Sequence, residues 1–504
     1  MDKLSQIIRT FDNYKLRHID VLNNQDSKSR ATELYQQIQK GKINTDDEAA
    51  KFLFGPEANK STGKYRVFKA DFKKRVMNTL LFIDTSNPTL DEYQQATYDI
   101  HREWMEIKAL LKGGMSHIAA PLAEQLLVTA LKYEYAEITV PLISAIKYGI
   151  AMKGEKELYH KYQDLHTHYM GMWLAEQKAE EYNNLLRMEY VKTAEYKSFV
   201  ADTAKGYFEE LKPLMEKYSS AVLHMWARSV ELYMYSTISD YKGILAVAER
   251  ALIFFSAKSF VIKTPISIFL QQKMIALMML KRYPEAYEAI DETIKLRVRG
   301  SFNWFKGQES KVALLFRMHR YTEGYAIYRD ITAMPEFEKI LTGMNREIWS
   351  VFNAYFHLMH KLGSASDLAL EEKEFKLQKF LNDVPTFNND KKGMYLAILI
   401  IEICYMMSAR QQNTLIDRIE AIQKYLTRNT LKTDPSYRFN QFANMLLEIP
   451  KSGFMRSVLE KNTAVFFKDL QSVPYDMVES IYRSEVVALE ELWGLVLNNY
   501  EKLK

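Results

Sequence analysis

Leu280-Lys281-Arg282-Tyr283-Pro284-Glu285-Ala286-Tyr287 recurs 38 residues later as Met318-His319-Arg320-Tyr321-Thr322-Glu323-Gly324-Tyr325, with Arg, Tyr, Glu and Tyr matched. Leu131-Lys132-Tyr133-Glu134-Tyr135-Ala136 reads as a third copy, with a small residue again three positions after the tyrosine. Ser239-Asp240-Tyr241-Lys242-Gly243 is a looser fourth, its small residue one position early. The pattern suits a bend between two antiparallel helices. An aromatic wedges at the bend, the small residue lets the helices approach, and apolar side chains four and seven further on face a neighbour. After Ala286 these are Ile290 and Thr293; after Ala136 they are Val140 and Ile143. Pro284 starts its helix without wasting a backbone donor. Ile268 to Leu280 is apolar on more than one face, as expected of a helix between neighbours. Tyr133, Tyr241, Tyr283 and Tyr321 are therefore expected to be largely buried at bends.

Outward from these bends the rest of the chain reads the same way. Gly (18) and Pro (12) make about 6% of 504 residues, half the usual share near ~12%. So few turn formers argue against sandwiches, barrels and propellers. With 47% apolar and 26% charged residues the chain is globular and can bury a large core. One cysteine excludes a disulfide framework and a thiolate zinc cluster. Met1 to Asp20 lacks the apolar core of a signal peptide, and Tyr395 to Ile401 is too short to span a bilayer. The expectation is an all-α protein, intracellular and cytoplasmic, with no membrane segment. Thr89-Leu90-Asp91-Glu92 has the form of a capping box opening a helix that runs to Lys112, where Gly113-Gly114 stops it. Asp434-Pro435 opens another that should end before Pro450. A soft boundary at Gly113-Gly114 separates an N-terminal helical region, residues 1–112, from a continuous helical body, residues 113–504.

The recurring bends resemble tetratricopeptide-like (TPR-like) repeats, most clearly over Ser219 to Leu362 with an echo near Leu122 to Gly149. The spacings of 38 and 42 residues exceed that family's regular ~34, and its Trp-x₂-Leu-Gly-x₂-Tyr opening is missing. The resemblance implies an α-solenoid of antiparallel helical hairpins whose concave face binds peptides or protein surfaces.

Motifs that would carry chemistry fail on spacing. Gly55 to Lys64 looks phosphate-binding, yet position 58 is Ala where a P-loop needs Gly, and position 65 is Tyr where it needs Ser or Thr. His160, His166 and His168 are six and two residues apart, which points them apart on a helix. His357 and His360 share a face but lack an acidic companion. Cys404 lies in an apolar run, unlike a reactive thiolate, and Glu402 in that run reads as a paired carboxylate. Met274 to Met279 reads as packing. No nucleophile elbow, dinucleotide fingerprint or kinase motif set is present. The expectation is no metal, no cofactor and no enzymatic activity.

Charge is concentrated. Lys60, Lys64, Arg66, Lys69, Lys73, Lys74 and Arg75 face only Asp71, so this stretch carries +6 while the whole chain carries +5. Phe68, Phe72, Val76 and Leu80 recur every four residues, which predicts an amphipathic helix over about Lys64 to Ile83 with a cationic outer face. The candidate partner-binding residues are Lys69, Lys73, Lys74 and Arg75 on this helix, and the Trp304-Phe305 pair between the two best copies of the bend. Three functions follow. The first is a non-catalytic scaffold or adaptor holding another protein or peptide. The second is a nucleic-acid-associated regulatory protein using the basic stretch. The third is an enzyme whose site is gathered from distant helices.

Overall fold

A computed structural model describes residues 29–79, 85, 90–192, 197–368, 370, 375–384, 394–408, 418, 437–453, 455–473 and 485–500. Among these residues every regular element is a helix and no strand occurs. The chain forms two compact units. One comprises Met1–Met234 with Ile253–Pro265, the other Tyr235–Leu252 with Ile266–Lys504. The units do not part at Gly113-Gly114. There Gly114 adopts φ +76° and closes an ordinary turn between two packed helices.

The first unit contains α1 (Arg30–Gln39), α2 (Asp46–Phe54), α3 (Gly63–Thr79), α4 (Glu92–Lys112), α5 (Ser116–Lys132), α6 (Ala136–Lys153), α7 (Lys156–Lys192), α8 (Lys197–Lys217) and most of α9 (Ala221–Ser236). The unit boundaries cut α10 (Tyr241–Ser256) and the start of α11 (Lys263–Met279). Helices α4 to α8 each pack on the next. A small separate core joins α1 to α3 through Leu34, Ile38, Leu53, Tyr65, Phe72 and Val76. The α4 cap differs in register from expectation: Asp91 and Gln94, not Thr89 and Glu92, form the capping box. Glu92 is engaged elsewhere, accepting from Lys132, Tyr133 and the Val261 amide. Thr89 lies outside the described residues, as do Leu80 and Asp434-Pro435.

The second unit adds α12 (Tyr283–Lys295), α13 (Phe302–Arg317), α14 (Tyr321–Thr332), α15 (Pro335–Ile340), α16 (Met344–Lys361), α17 (Leu377–Asp383), α18 (Met394–Ser408), α19 (Tyr437–Lys451), α20 (Arg456–Ser472) and α21 (Leu489–Tyr500). Consecutive pairs again pack together, α12 on α13, α13 on α14 and α19 on α20. Their core is aromatic: Phe316, Trp349, Phe352, Tyr355, Phe356 and Phe442 are all buried. Pro450 lies inside α19 rather than beyond it. At the penultimate position it removes one late bond, and Ser452 recovers the end by donating to Glu448 and Ile449 carbonyls.

The recurring bends share one backbone geometry. Glu134, Ser239, Lys281 and His319 all have φ between +54° and +59°. In each the left-handed residue donates three residues back and its successor donates five back, as Lys281 does to Met278 and Arg282 to Leu277. This is the Schellman closure of a helix. It sets a register different from the sequence match at the first copy. Tyr241, Tyr283 and Tyr321 come two residues after the left-handed position, whereas Tyr133 comes one before it. Tyr133 and Tyr321 are buried; Tyr241 and Tyr283 are half-exposed, against expectation. The residues following the small one are buried as expected: Ile290, Thr293, Val140 and Ile143. Two glycines mark close approach. A Cβ at Gly243 would stand 2.1 Å from the Tyr235 ring, and one at Gly324 would stand 3.2 Å from Phe356.

Candidate functional site

The bends at Ser239 and Lys281 open onto a cleft of about 800 Å³ within the second unit. Tyr241, Tyr283 and Met279 line it, with the buried Met278 behind them, and Lys281, Arg317, Glu490 and Glu491 supply charge of both signs. The helix periodicity explains the placement. Each tyrosine opens its helix directly after a Schellman turn, which places it at a bend that lines the cleft.

Arg438 anchors the opposite wall. Its Nε and Nη2 donate to Glu485 at 3.1 and 2.9 Å, Nη2 reaches Glu490 at 2.7 Å, and Nη1 donates to the Leu470 and Val473 carbonyls. Burial opposes its charge, but the Glu485 and Glu490 carboxylates outweigh this and hold the guanidinium firmly protonated. Arg317 adds a bond to the Glu485 carbonyl at 2.6 Å. The Glu485 carboxylate also accepts from the Leu489 amide, so the same group that pairs Arg438 satisfies the start of α21. α19, α20 and α21 are thereby tied to one guanidinium, and Glu490 and Glu491 are held at the cleft.

At the third bend the equivalent position is filled. Tyr321 is buried, its hydroxyl donates to Glu491 at 3.4 Å, and His319 stands 3.3 Å from the same carboxylate. Burial and the Glu491 charge push the Tyr321 phenol up. α21 therefore reaches the Tyr321 hydroxyl through Glu491, while Tyr241 and Tyr283 stay half-buried at the cleft.

The expected site residues fall elsewhere. Trp304 and Phe305 are buried in the second unit's core, with ring centroids 5.3 Å apart, and Phe305 meets Phe337 edge-on. Both rings are thus packed into the core of that unit. On α3, Lys69 pairs with Asp46 at 2.7 Å and Arg75 with Asp71 at 2.8 Å. Both are half-exposed, while Lys73 and Lys74 are exposed together with Arg66. The four candidate cations thus divide into two that hold the local structure and two that face outward.

The residues singled out as chemically suggestive have local partners. His166 lies 3.1 Å from Ser144, His168 packs on Tyr169 and Tyr218, and His357 stacks on Phe375. Glu402 pairs with Arg418 at 2.8 Å, and burial pushes the Cys404 thiol up to about 12. No cluster of potential metal ligands occurs among the described residues. No helix among them is long and apolar enough to cross a membrane. Arg438 and Arg317 had no motif to announce them. The available signal was an arginine set among Tyr437, Phe439 and Phe442, a charge on a face otherwise built for burial. No protein-family model, no curated protein and no solved structure matches the chain.

Proposed function

We propose that this chain is a non-catalytic adaptor, a solenoid of antiparallel helical hairpins of tetratricopeptide-like character, that holds a segment of a partner protein in the Tyr241–Tyr283 cleft. One observation carries the reading. Three bends share a backbone conformation and a tyrosine in the same register, yet Tyr321 is buried with Glu491 of α21 at its hydroxyl, while Tyr241 and Tyr283 stay half-buried at the cleft. The two half-buried tyrosines line a cleft with Met279, a surface that adapts to a peptide with few rotamers to freeze. Charge of both signs at its edge supplies orientation. Antiparallel hairpins hold such a surface rigid, which lowers the ordering cost of binding.

The double substitution Tyr241→Ser and Tyr283→Ser tests this. It should abolish capture of a partner from native extract while far-UV circular dichroism stays helical. A photo-crosslinking residue at position 283 should label the same partner. Trp304→Ala serves as the control: it should lower the melting temperature and leave capture intact below it. Undiminished capture by the double variant would overturn the proposal.

A further inference from the structure

The outer face of α3 carries a feature that the cleft does not use. Its inner face is closed by Tyr65, Phe72 and Val76, each 1% exposed. On the outer face Val67 is 74% exposed and Met77 42%, with Ala70 and Lys74 exposed between them. Positions 67, 70, 74 and 77 follow the alternating three- and four-residue steps of a coiled-coil seam. Arg66 and Lys73 stand one residue before Val67 and Lys74, on one flank of that seam, and Lys64 lies on the other. The remaining charges are committed locally: Lys69 to Asp46, and Asp71 to Arg75. The unspent charge of this face is therefore positive and flanks a line of Val67, Ala70 and Met77 that Lys74 interrupts.

We propose that the outer face of α3 is a second docking surface, taking an amphipathic α-helix of a partner protein that has an apolar seam and acidic flanks. Charge complementarity selects the acidic flanks, because like charges across a helix pair are disfavoured and Arg66 and Lys73 repeat at the heptad interval. The apolar line selects a helix over a nucleic acid. Phosphates would use the cations and leave Val67 and Met77 bare, while the aromatics that could stack bases, Phe68 and Phe72, pack inward on each other and on Phe54. Seventeen residues of α3 offer about 25 Å of contact, a length suited to a modest, reversible interaction. This surface lies apart from the cleft tyrosines in sequence and unit, so it stands or falls independently of the adaptor reading.

The probe is a fluorescein-labelled synthetic helix, three heptads long, with Leu on the seam and Glu on both flanks, titrated with the full chain by fluorescence anisotropy. Binding should weaken at least tenfold, roughly, in Arg66→Gln/Lys73→Gln and by a similar factor in Val67→Ser/Met77→Ser. These exposed positions should leave the melting temperature unchanged. A matched peptide with Lys on its flanks should not bind. Three results would overturn the proposal: no binding of the Glu peptide, equal binding of the Lys peptide, or binding that depends on Arg66 and Lys73 but not on Val67 and Met77. The last is the behaviour of a plain polyanion patch, and single-stranded DNA would then compete with the peptide.

Discussion

Glu134, Ser239, Lys281 and His319 each adopt a left-handed backbone that costs a residue with a Cβ about 1–2 kcal/mol. Four other bends of this chain, at Gly41, Gly114, Gly154 and Gly363, use glycine for the same closure. Lys281 is exposed and its backbone already makes the Schellman bonds, so Lys281→Gly should raise stability by about 0.5–1 kcal/mol in urea titration. Glu134→Gly should do the opposite. Its carboxylate accepts from Lys258 at 2.6 Å and from the Ala221 amide at 2.9 Å, and those bonds are lost with the side chain. A second residue links to pH. Burial pushes the Glu176 carboxyl from 4.5 up to about 7, helped by the Glu134 and Glu137 charges and opposed by the Ser220 hydroxyl, which donates to it. The folded chain therefore keeps a proton that the unfolded chain releases near pH 4.5. Stability from this group is present below that value, falls as pH rises through 7, and is then fully lost, an effect of roughly 3 kcal/mol at most. Glu176→Gln should flatten that decline in chemical denaturation between pH 5 and 8; an unaltered slope would remove Glu176 as its source.

Helices are where the sequence was most readable, and their ends were least so. The boundaries of α4 at Lys112 and of α12 and α14 at their tyrosines follow from glycine stops and from the recurring bend. The α4 cap slipped by two residues because Thr89 and Asp91 are both good caps, and only the fold brings the Lys263 backbone amide to the Asp91 carboxylate. The copy at Tyr133 matched in letters but not in register, since a Tyr-Glu-Tyr run offers two tyrosines and only backbone conformation says which one follows the turn. The candidate site was legible in part: Tyr241 and Tyr283 were singled out, but as buried wedges. What separates them from Tyr321 is its contact with Glu491 of α21, a pairing across 170 residues that no local pattern encodes. The ion network that fixes α21 makes this testable. Arg438→Ala leaves Glu485, which is 2% exposed, without its partner and should cost about 3–5 kcal/mol. The same change should uncover Tyr321 to solvent, read as increased reactivity of that residue toward nitration. A small loss of stability with Tyr321 still protected would mean that apolar packing of Leu489, Leu492 and Trp493 holds α21 without the arginine.

At the scale of the whole molecule, the two compact units are not consecutive stretches of chain, and this decides which fragments can fold. Ile253–Pro265 belongs to the first unit although Tyr235–Leu252 belongs to the second. The returning segment is tied in by specific contacts. Phe260 stacks on Tyr93 at 5.6 Å and meets Tyr133 edge-on at 5.4 Å. Lys258 pairs with Glu134, donates to Ser219 and sits over the Phe254 ring, which also stacks in parallel on His224 at 3.7 Å. Burial drives that histidine down to about 4, so it stays neutral and its ring remains in the stack at ordinary pH. A chain ending at Met234 keeps α1 to α8 and most of α9 but loses these partners, leaving Tyr93 and Tyr133 without the Phe260 ring, Glu134 without Lys258 and His224 without its stack. A chain ending at Pro265 retains them at the cost of carrying most of α10 without the rest of its unit. The expected outcome is that residues 1–265 unfold cooperatively and resist limited proteolysis outside residues 235–252, whereas residues 1–234 show no cooperative transition and are cleaved throughout. Equal protection of the two fragments in hydrogen exchange would show that the Ile253–Pro265 segment is a passenger on the first unit. A fragment cut at Gly113, in contrast, separates the packed pair α4 and α5 and should release neither half as a folded body.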